Sequence, residues 1–260
     1  AFGSTLKGDI PKVGSEGKIE VKSFVHPVLA LREQEKSHTF ASVVPIDLHL
    51  SEAQGDRALI ISGPNGGGKT LALKSFGLAC ILCKLGIPFP SSLEDSKPRV
   101  DFFTNVLVQI GDAQSVTDGE STLMARLNAM SSVIQQISGM VSTEPDQIQT
   151  GSSLILLDEL GSGTDPTAGS AIAQAVLEKL LEYDPCRVVA TTHSPQLKAL
   201  SLENDQFNCA TVLLKKDTAD PNGLSLPTFQ LKYGVIGDSY ALGAAFRCMP
   251  GLPDDVLSRA

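Results

Sequence analysis

What most constrains the fold of this 260-residue chain is a glycine-rich turn, Gly63-Pro64-Asn65-Gly66-Gly67-Gly68-Lys69-Thr70, set between an apolar run at residues 58–62 and a helical stretch at residues 71–85. The turn fits the spacing G-x-x-x-x-G-K-[ST], and its flanks predict a strand feeding it and a helix leaving it. Glycine admits backbone conformations closed to other residues, so several N–H groups can converge on one point. The positive end of the helix dipole adds to them, and together they make a nest for an anion. The expected occupant is a nucleoside triphosphate. Gly63, Pro64, Asn65, Gly66, Gly67 and Gly68 form the backbone cradle in this reading, Lys69 reaches the β- and γ-phosphates, and the Thr70 hydroxyl meets a magnesium ion.

Strand-like and helical runs alternate through the rest of the chain. Strands are predicted at residues 18–24, 103–109, 154–157 and 187–192, helices at 121–137 and 166–183, and a β-hairpin from the runs 207–214 and 228–233 around Pro221-Asn222-Gly223. In the first of these helices Leu123, Leu127, Met130, Ile134 and Ile137 recur at helical spacing, so one face should be buried. Asp165 as cap and Pro166 at the first helical position mark the start of the second. Continuously apolar strands alternating with helices predict an α/β fold, a mostly parallel sheet flanked by helices with antiparallel hairpin additions. The first twenty or so residues, rich in Gly, Lys and Ser, read as a linker, and residues 140–152 as a polar loop.

Composition sets further bounds. A net charge of -8 is opposite to the footprint of a surface that grips nucleic acid, so any DNA or RNA contact is expected elsewhere. The five cysteines lack the dense spacing of a secreted disulfide scaffold and point to a reducing compartment. Cys80 and Cys83 form a C-x-x-C without a second ligand pair, and they read as helical packing residues. No apolar run approaches the roughly 20 residues needed to cross a bilayer, and no signal peptide opens the chain. It begins at Ala1 and stops where a new helix starts near Pro253, so flanking domains and targeting signals are expected outside it.

The second half of the site is the apolar run Leu154-Ile155-Leu156-Leu157, which ends in Asp158-Glu159. Ligands in open α/β sheets bind at the carboxyl ends of the strands, where this run delivers two carboxylates. Asp158 is expected to hold magnesium through water, and Glu159 to orient and deprotonate the attacking water. The segment Gly161-Ser162-Gly163-Thr164-Asp165-Pro166 that follows allows close approach by a second protomer's backbone, or is a simple strand-to-helix connection. A third apolar strand ends in Ala190-Thr191-Thr192-His193, where His193 can reach the γ-phosphate and report its presence.

Glycine loop, Asp-Glu strand, short glycine-rich loop and strand-end histidine, in that order, resemble the ABC class of P-loop ATPases, in which each nucleotide is sandwiched between two subunits. The partner contributes a serine at a helix N-terminus. Ile137-Ser138-Gly139-Met140 lies near the position of a transporter signature, but Pro145 and the polar loop leave no helix behind it to face a phosphate. Gly119-Glu120-Ser121-Thr122 instead opens the amphipathic helix, so Ser121 can serve the opposite protomer's γ-phosphate. Gly63 to Thr70 as GPNGGGKT, the run Ile110 to Ser115, the GEST segment, LDELGSGTDP from Leu157 to Pro166, and ATTHSPQLKA from Ala190 to Ala199 resemble the ATPase domain of the MutS family. The closing segment from Gly237 through Pro253 fits as well, and the likeness covers roughly residues 23 to 260. Gly67, Thr70 and the ELGSGTDP string favour the type-two, recombination- and ribosome-associated branch; Gly119 and Ser194 depart from it.

This resemblance implies a domain at residues 23–250 after an N-terminal extension at 1–22, with residues 251–260 opening a helical dimerisation region. It implies an ATPase that uses ATP and magnesium, with Lys69, Glu159 and His193 in catalytic roles and Thr70 and Asp158 at the metal. Gln114 would sense magnesium or water. Phe40 would stack on adenine, with core packing as its other reading. A homodimer closing around two ATP molecules would switch a clamp on DNA or the ribosome, reached through domains outside these residues, and no nuclease activity is expected within them. The alternatives are a mismatch-repair-branch MutS domain or a transporter ATPase subunit. The expected compartment is the cytoplasm or an organelle such as the plastid, without membrane insertion or secretion.

Overall fold

Along the chain come β1 (Ile19–Phe24), α1 (Pro27–Ser37), β2 (Ile46–Leu50), β3 (Ala58–Ser62), α2 (Lys69–Lys84), β4 (Arg99–Val100), β5 (Phe103–Gln109), α3 (Thr122–Val141), β6 (Ser152–Leu157), α4 (Pro166–Leu181), β7 (Cys186–Thr191), α5 (Pro195–Glu203), β8 (Phe207–Lys216) and β9 (Ser225–Tyr233). This computed structural model describes residues 8–37, 42–51, 55–88, 97–110, 122–141, 152–184, 186–216 and 225–237. A six-stranded sheet runs in the order β5-β6-β7-β3-β8-β9, and a three-stranded sheet in the order β2-β1-β4. In the large sheet the pairs from β5 through β8 are parallel, and only the β8–β9 hairpin is antiparallel. The protein is therefore a mixed α/β fold built on a mostly parallel sheet flanked by helices.

The period of two along each central strand explains why β3 and β6 are apolar throughout. Leu59 and Ile61, with Leu154 and Leu156, face one core, in which Leu73, Phe76 and Ala79 of α2 and the inner residues of the small sheet complete the packing. Ala58 and Ile60, with Ile155 and Leu157, face the other, closed by Met130, Val133 and Ile137 of α3, Leu177 and Leu180 of α4, and Leu197 and Leu200 of α5. Burying a side chain of this size contributes about 1.5–3 kcal/mol, so a strand covered on both faces gains at every position. Close approach matters too: a Cβ at Gly77 would stand 2.7 Å from Leu156 Cδ1, so α2 lies tight against the sheet because that residue is glycine. Cys80 is buried and Cys83 half-buried in the same helix, where they serve as packing groups.

The helix predicted at 121–137 runs to Val141, one turn further, so Ser138 lies in its closing turn and its hydroxyl donates to Ile134 O at 2.9 Å. No helix start stands at that serine. Asp165 caps α4 as expected, accepting from the N–H groups of Thr167 and Ala168. What sequence patterning did not show is the small sheet, with α1, β2 and β4. Tyr233 of β9 ties it to the large sheet by donating to Asp47 O at 2.8 Å and accepting from His49 N at 3.1 Å.

The reading of the opening residues as a linker meets a difference at its far end. Lys12 bridges to Arg99, and the N–H groups of Glu16 and Lys18 donate to Asp101 Oδ2 at 2.8 and 3.1 Å. Arg99 Nε donates to Asp101 Oδ1 at 2.8 Å. One buried carboxylate thus pins a segment more than eighty residues away in sequence, a contact that composition cannot reveal. Burial alone would raise the pKa of Asp101, but the Arg99 guanidinium and the two backbone donors outweigh it and hold it below the usual carboxylate range. A depressed pKa means that this stabilisation is full above the unfolded-state value and is lost as pH falls through the folded one. Asp101→Asn is expected to cost about 2–3 kcal/mol in urea unfolding at pH 7. The difference from the parent should shrink below about pH 4, where the parent's carboxylate also takes up a proton.

Candidate functional site

Three strand ends form the site. β7 pairs with β3 on one side, Ile61 opposite Thr191, and with β6 on the other, Leu157 opposite Ala190. All three run in one direction, so the glycine loop, the Asp158-Glu159 pair and His193 emerge at one edge. Gly66 and Gly68 take φ of 72° and 92°, in the left-handed region that favours glycine. Gly67 N donates to Pro64 O at 3.1 Å and tightens the turn, while a Cβ at Gly67 would stand 3.0 Å from that same carbonyl. Gly68 is the N-cap of α2 and no side chain caps the helix. A helix start left open in this way suits an anion.

Within the turn, Lys69 is buried, and its Nζ donates to Gly63 O at 3.1 Å and Pro64 O at 2.9 Å. Burial lowers its pKa, and the nearby Glu159 and Asp158 carboxylates oppose that fall. Thr70 Oγ1 donates to Asp158 Oδ1 at 3.3 Å, which brings together two residues 88 positions apart. Thr191, which sequence reading left without a role, secures the acidic pair: its Oγ1 donates to Asp158 Oδ1 at 2.5 Å and accepts from Glu159 N at 2.8 Å. Glu159 itself has φ of 51°, an uncommon conformation for a non-glycine residue and a mark of local strain. Its carboxylate pairs with Arg126 Nη2 at 3.3 Å.

His193 lies two residues past the end of β7 and is exposed. Partial burial of its ring, and next the charge of Lys69, lower its pKa and so favour the uncharged imidazole. Lys198, buried in α5, donates to Gly237 O at 2.9 Å and adds a second positive charge felt by both Lys69 and His193.

Beside Gly68 opens a cavity of about 490 Å³ between α1, the small sheet and the start of α2, with Phe24, His26, Arg32, Leu71 and Phe229 in its walls. Phe229 comes from β9 with φ of 62°, and a Cβ on Gly68 would lie 3.3 Å from its ring. Burial lowers the pKa of His26, whose Nδ1 is buried without a hydrogen-bond partner. Phe40, Gln114 and Ser121 lie outside the described residues, as do residues 251–260. Among the described residues no three His, Cys, Asp or Glu side chains gather to hold a metal by themselves. A magnesium ion needs no such set, since it is ordinarily held by one or two protein oxygens together with phosphates and water. Thr70 and Asp158 fit that demand.

Thr70, Asp158, Thr191, Glu159 and Arg126 make one connected polar set at the carboxyl edge of a mostly parallel sheet, next to a lysine-bearing glycine turn. Fold and site together define a mixed α/β domain with a cluster of charged and polar groups at its strand ends. Residues 59–260 match the family described as MutS domain V, and the chain belongs to that family. Relatives include proteins named Endonuclease MutS2. That of Solidesulfovibrio magneticus is 36% identical over 260 residues, covering 100% of this chain and 29% of that protein. That of Thermomicrobium roseum is 37% identical over 238 residues, 90% of this chain and 27% of that protein. That of Synechocystis is 36% identical over 253 residues, 95% of this chain and 29% of that protein. These relatives are of the type-two branch rather than the mismatch-repair one, and the chain spans under a third of their length. Among the described residues no helix is long and apolar enough to cross a membrane.

Thr191→Val keeps shape and deletes both hydrogen bonds, which leaves Glu159 N and Asp158 each short of a partner. An unfolding free energy lower by about 1–3 kcal/mol is expected from chemical denaturation.

Proposed function

We propose that this chain is the ATP-binding and ATP-hydrolysing domain of a type-two MutS protein, a P-loop ATPase of the ABC class that works with magnesium. The observation that carries this reading is the meeting of Thr70 Oγ1 and Asp158 Oδ1 at 3.3 Å beside a buried Lys69. A hydroxyl from the glycine turn and a carboxylate from a different strand converge there, as a phosphate-bound cation requires.

In this reading the open N-terminus of α2 and the N–H groups of the turn receive the β- and γ-phosphates. Lys69 exchanges the carbonyls of Gly63 and Pro64 for phosphate oxygens, so an ammonium kept half satisfied meets a full charge. The cavity beside Gly68 takes the nucleoside, with the Phe229 ring at the base. Thr70 and Asp158 would hold a magnesium ion, which when bound would supply positive charge to the phosphates. Glu159 accepts the proton of the attacking water, and the uncharged His193 contacts the γ-phosphate and distinguishes ATP from ADP. Two copies of the domain close on two nucleotides, Ser121 of each facing the other's γ-phosphate and Gln114 sensing the cation, and this closure switches a clamp on DNA or the ribosome. The word endonuclease in the relatives' name belongs to those longer proteins, and no cleavage of nucleic acid is assigned to this chain.

Isothermal titration with MgATP should give saturable binding that Lys69→Ala weakens at least about tenfold, the loss of one charge-assisted contact. Glu159→Gln should bind as tightly as the parent while turnover falls about a hundredfold or more. Absence of binding heat from folded protein would overturn the assignment, and undiminished turnover in Glu159→Gln would remove that residue as the base.

A further inference from the structure

Arg126 is the residue of this site that no motif announces. It lies on α3 with its side chain only 13% exposed, and it makes two contacts with the segment that follows β6. Its Nη2 meets Glu159 Oε2 at 3.3 Å, and its Nη1 donates to Ser162 Oγ. Ser162 in turn folds the segment back on itself, its hydroxyl donating to Glu159 O at 2.6 Å and its N–H to the same carbonyl at 3.2 Å. One guanidinium therefore grips both the side chain of Glu159 and the turn that carries it, across 33 residues of sequence.

The position of this grip matters because Glu159 is otherwise free to turn. Its backbone is held by Thr191, but its side chain is 43% exposed and sits on a strained φ of 51°. In the resting structure Lys69 donates to two carbonyls of its own turn and Glu159 pairs with Arg126. The Glu159 carboxylate lies near enough to the glycine turn to act on the Lys69 ammonium, but its Oε2 is committed to a guanidinium on α3.

We propose that Arg126 is a positioning residue that holds Glu159 in a resting orientation, so turnover waits on the release of this ion pair when α3 shifts relative to the 159–163 turn. The inference rests on the reading of Glu159 as the base. Movement of α3, which packs against α4 and β5, would release the pair.

Steady-state MgATP hydrolysis by the full-length protein tests this with Arg126→Ala, Arg126→Gln and Arg126→Lys. The first two are expected to raise kcat about two- to fivefold with KM unchanged, the range one partly exposed ion pair can supply, and the lysine variant to stay near the parent. Hydrogen exchange without nucleotide supplies the second readout: amides of residues 159–163 should exchange faster in Arg126→Gln, and at an intermediate rate in Arg126→Lys, whose ammonium keeps the charge but not both contacts. An unchanged or lower kcat in a folded glutamine variant that binds MgATP normally would overturn the proposal, and so would unchanged exchange. A parent protein that neither binds nor hydrolyses MgATP would instead overturn the ATPase reading and leave the exchange measurement to decide whether Arg126 restrains the turn.

Discussion

β7 is hydrogen-bonded in parallel to β3 on one side and β6 on the other, and every functional contact depends on that pairing. It sets Thr191 level with the end of β3 and one residue beyond the last pair with β6, which is why a single hydroxyl can reach both Asp158 and the N–H of Glu159. A register slip of one residue would turn each central strand's side chains to the opposite face. It would carry Leu59 and Ile61 out of one core and Ala58 and Ile60 out of the other. The apolar packing on both faces therefore locks the register, and the register in turn aligns the polar groups at the strand ends.

The small sheet serves the site indirectly. It covers the outer side of α2, which starts directly after the glycine cradle, and with α1 it walls the cavity that opens beside Gly68. Asp101 anchors the opening segment against this sheet, and Tyr233 joins it to β9, which also carries Phe229. The helix start and the aromatic are thereby held in one unit even though they are far apart in the sequence.

Charge is distributed so that the resting site needs no external partner. The chain carries a net charge of -8, yet among the described residues Lys69, Lys198 and Arg126 gather at the strand ends with Asp158 and Glu159. This local excess of positive charge in an acidic protein suits an anionic ligand arriving from solvent. The internal hydrogen bonds of Lys69 and Glu159 are the arrangement such a ligand would have to replace.

Local sequence determined the parts that short-range physics governs. The glycine turn, the apolar runs of β3 and β6, the Asp165 cap and the β8–β9 hairpin were legible because propensity, periodicity and turn chemistry act within a few residues. So were the residue types at the strand ends. Contacts that span long stretches of chain were not legible: Asp101 with residues 16 and 18, Arg126 with Glu159, Thr191 with Asp158, and Phe229 beside Gly68. Nothing local in a sequence says which strand lies next to which, and the order β6-β7-β3 decides that the threonine at the end of β7 meets the aspartate that follows β6. Chemistry was written in the residues, and only the packing of both sheet faces chose their neighbours.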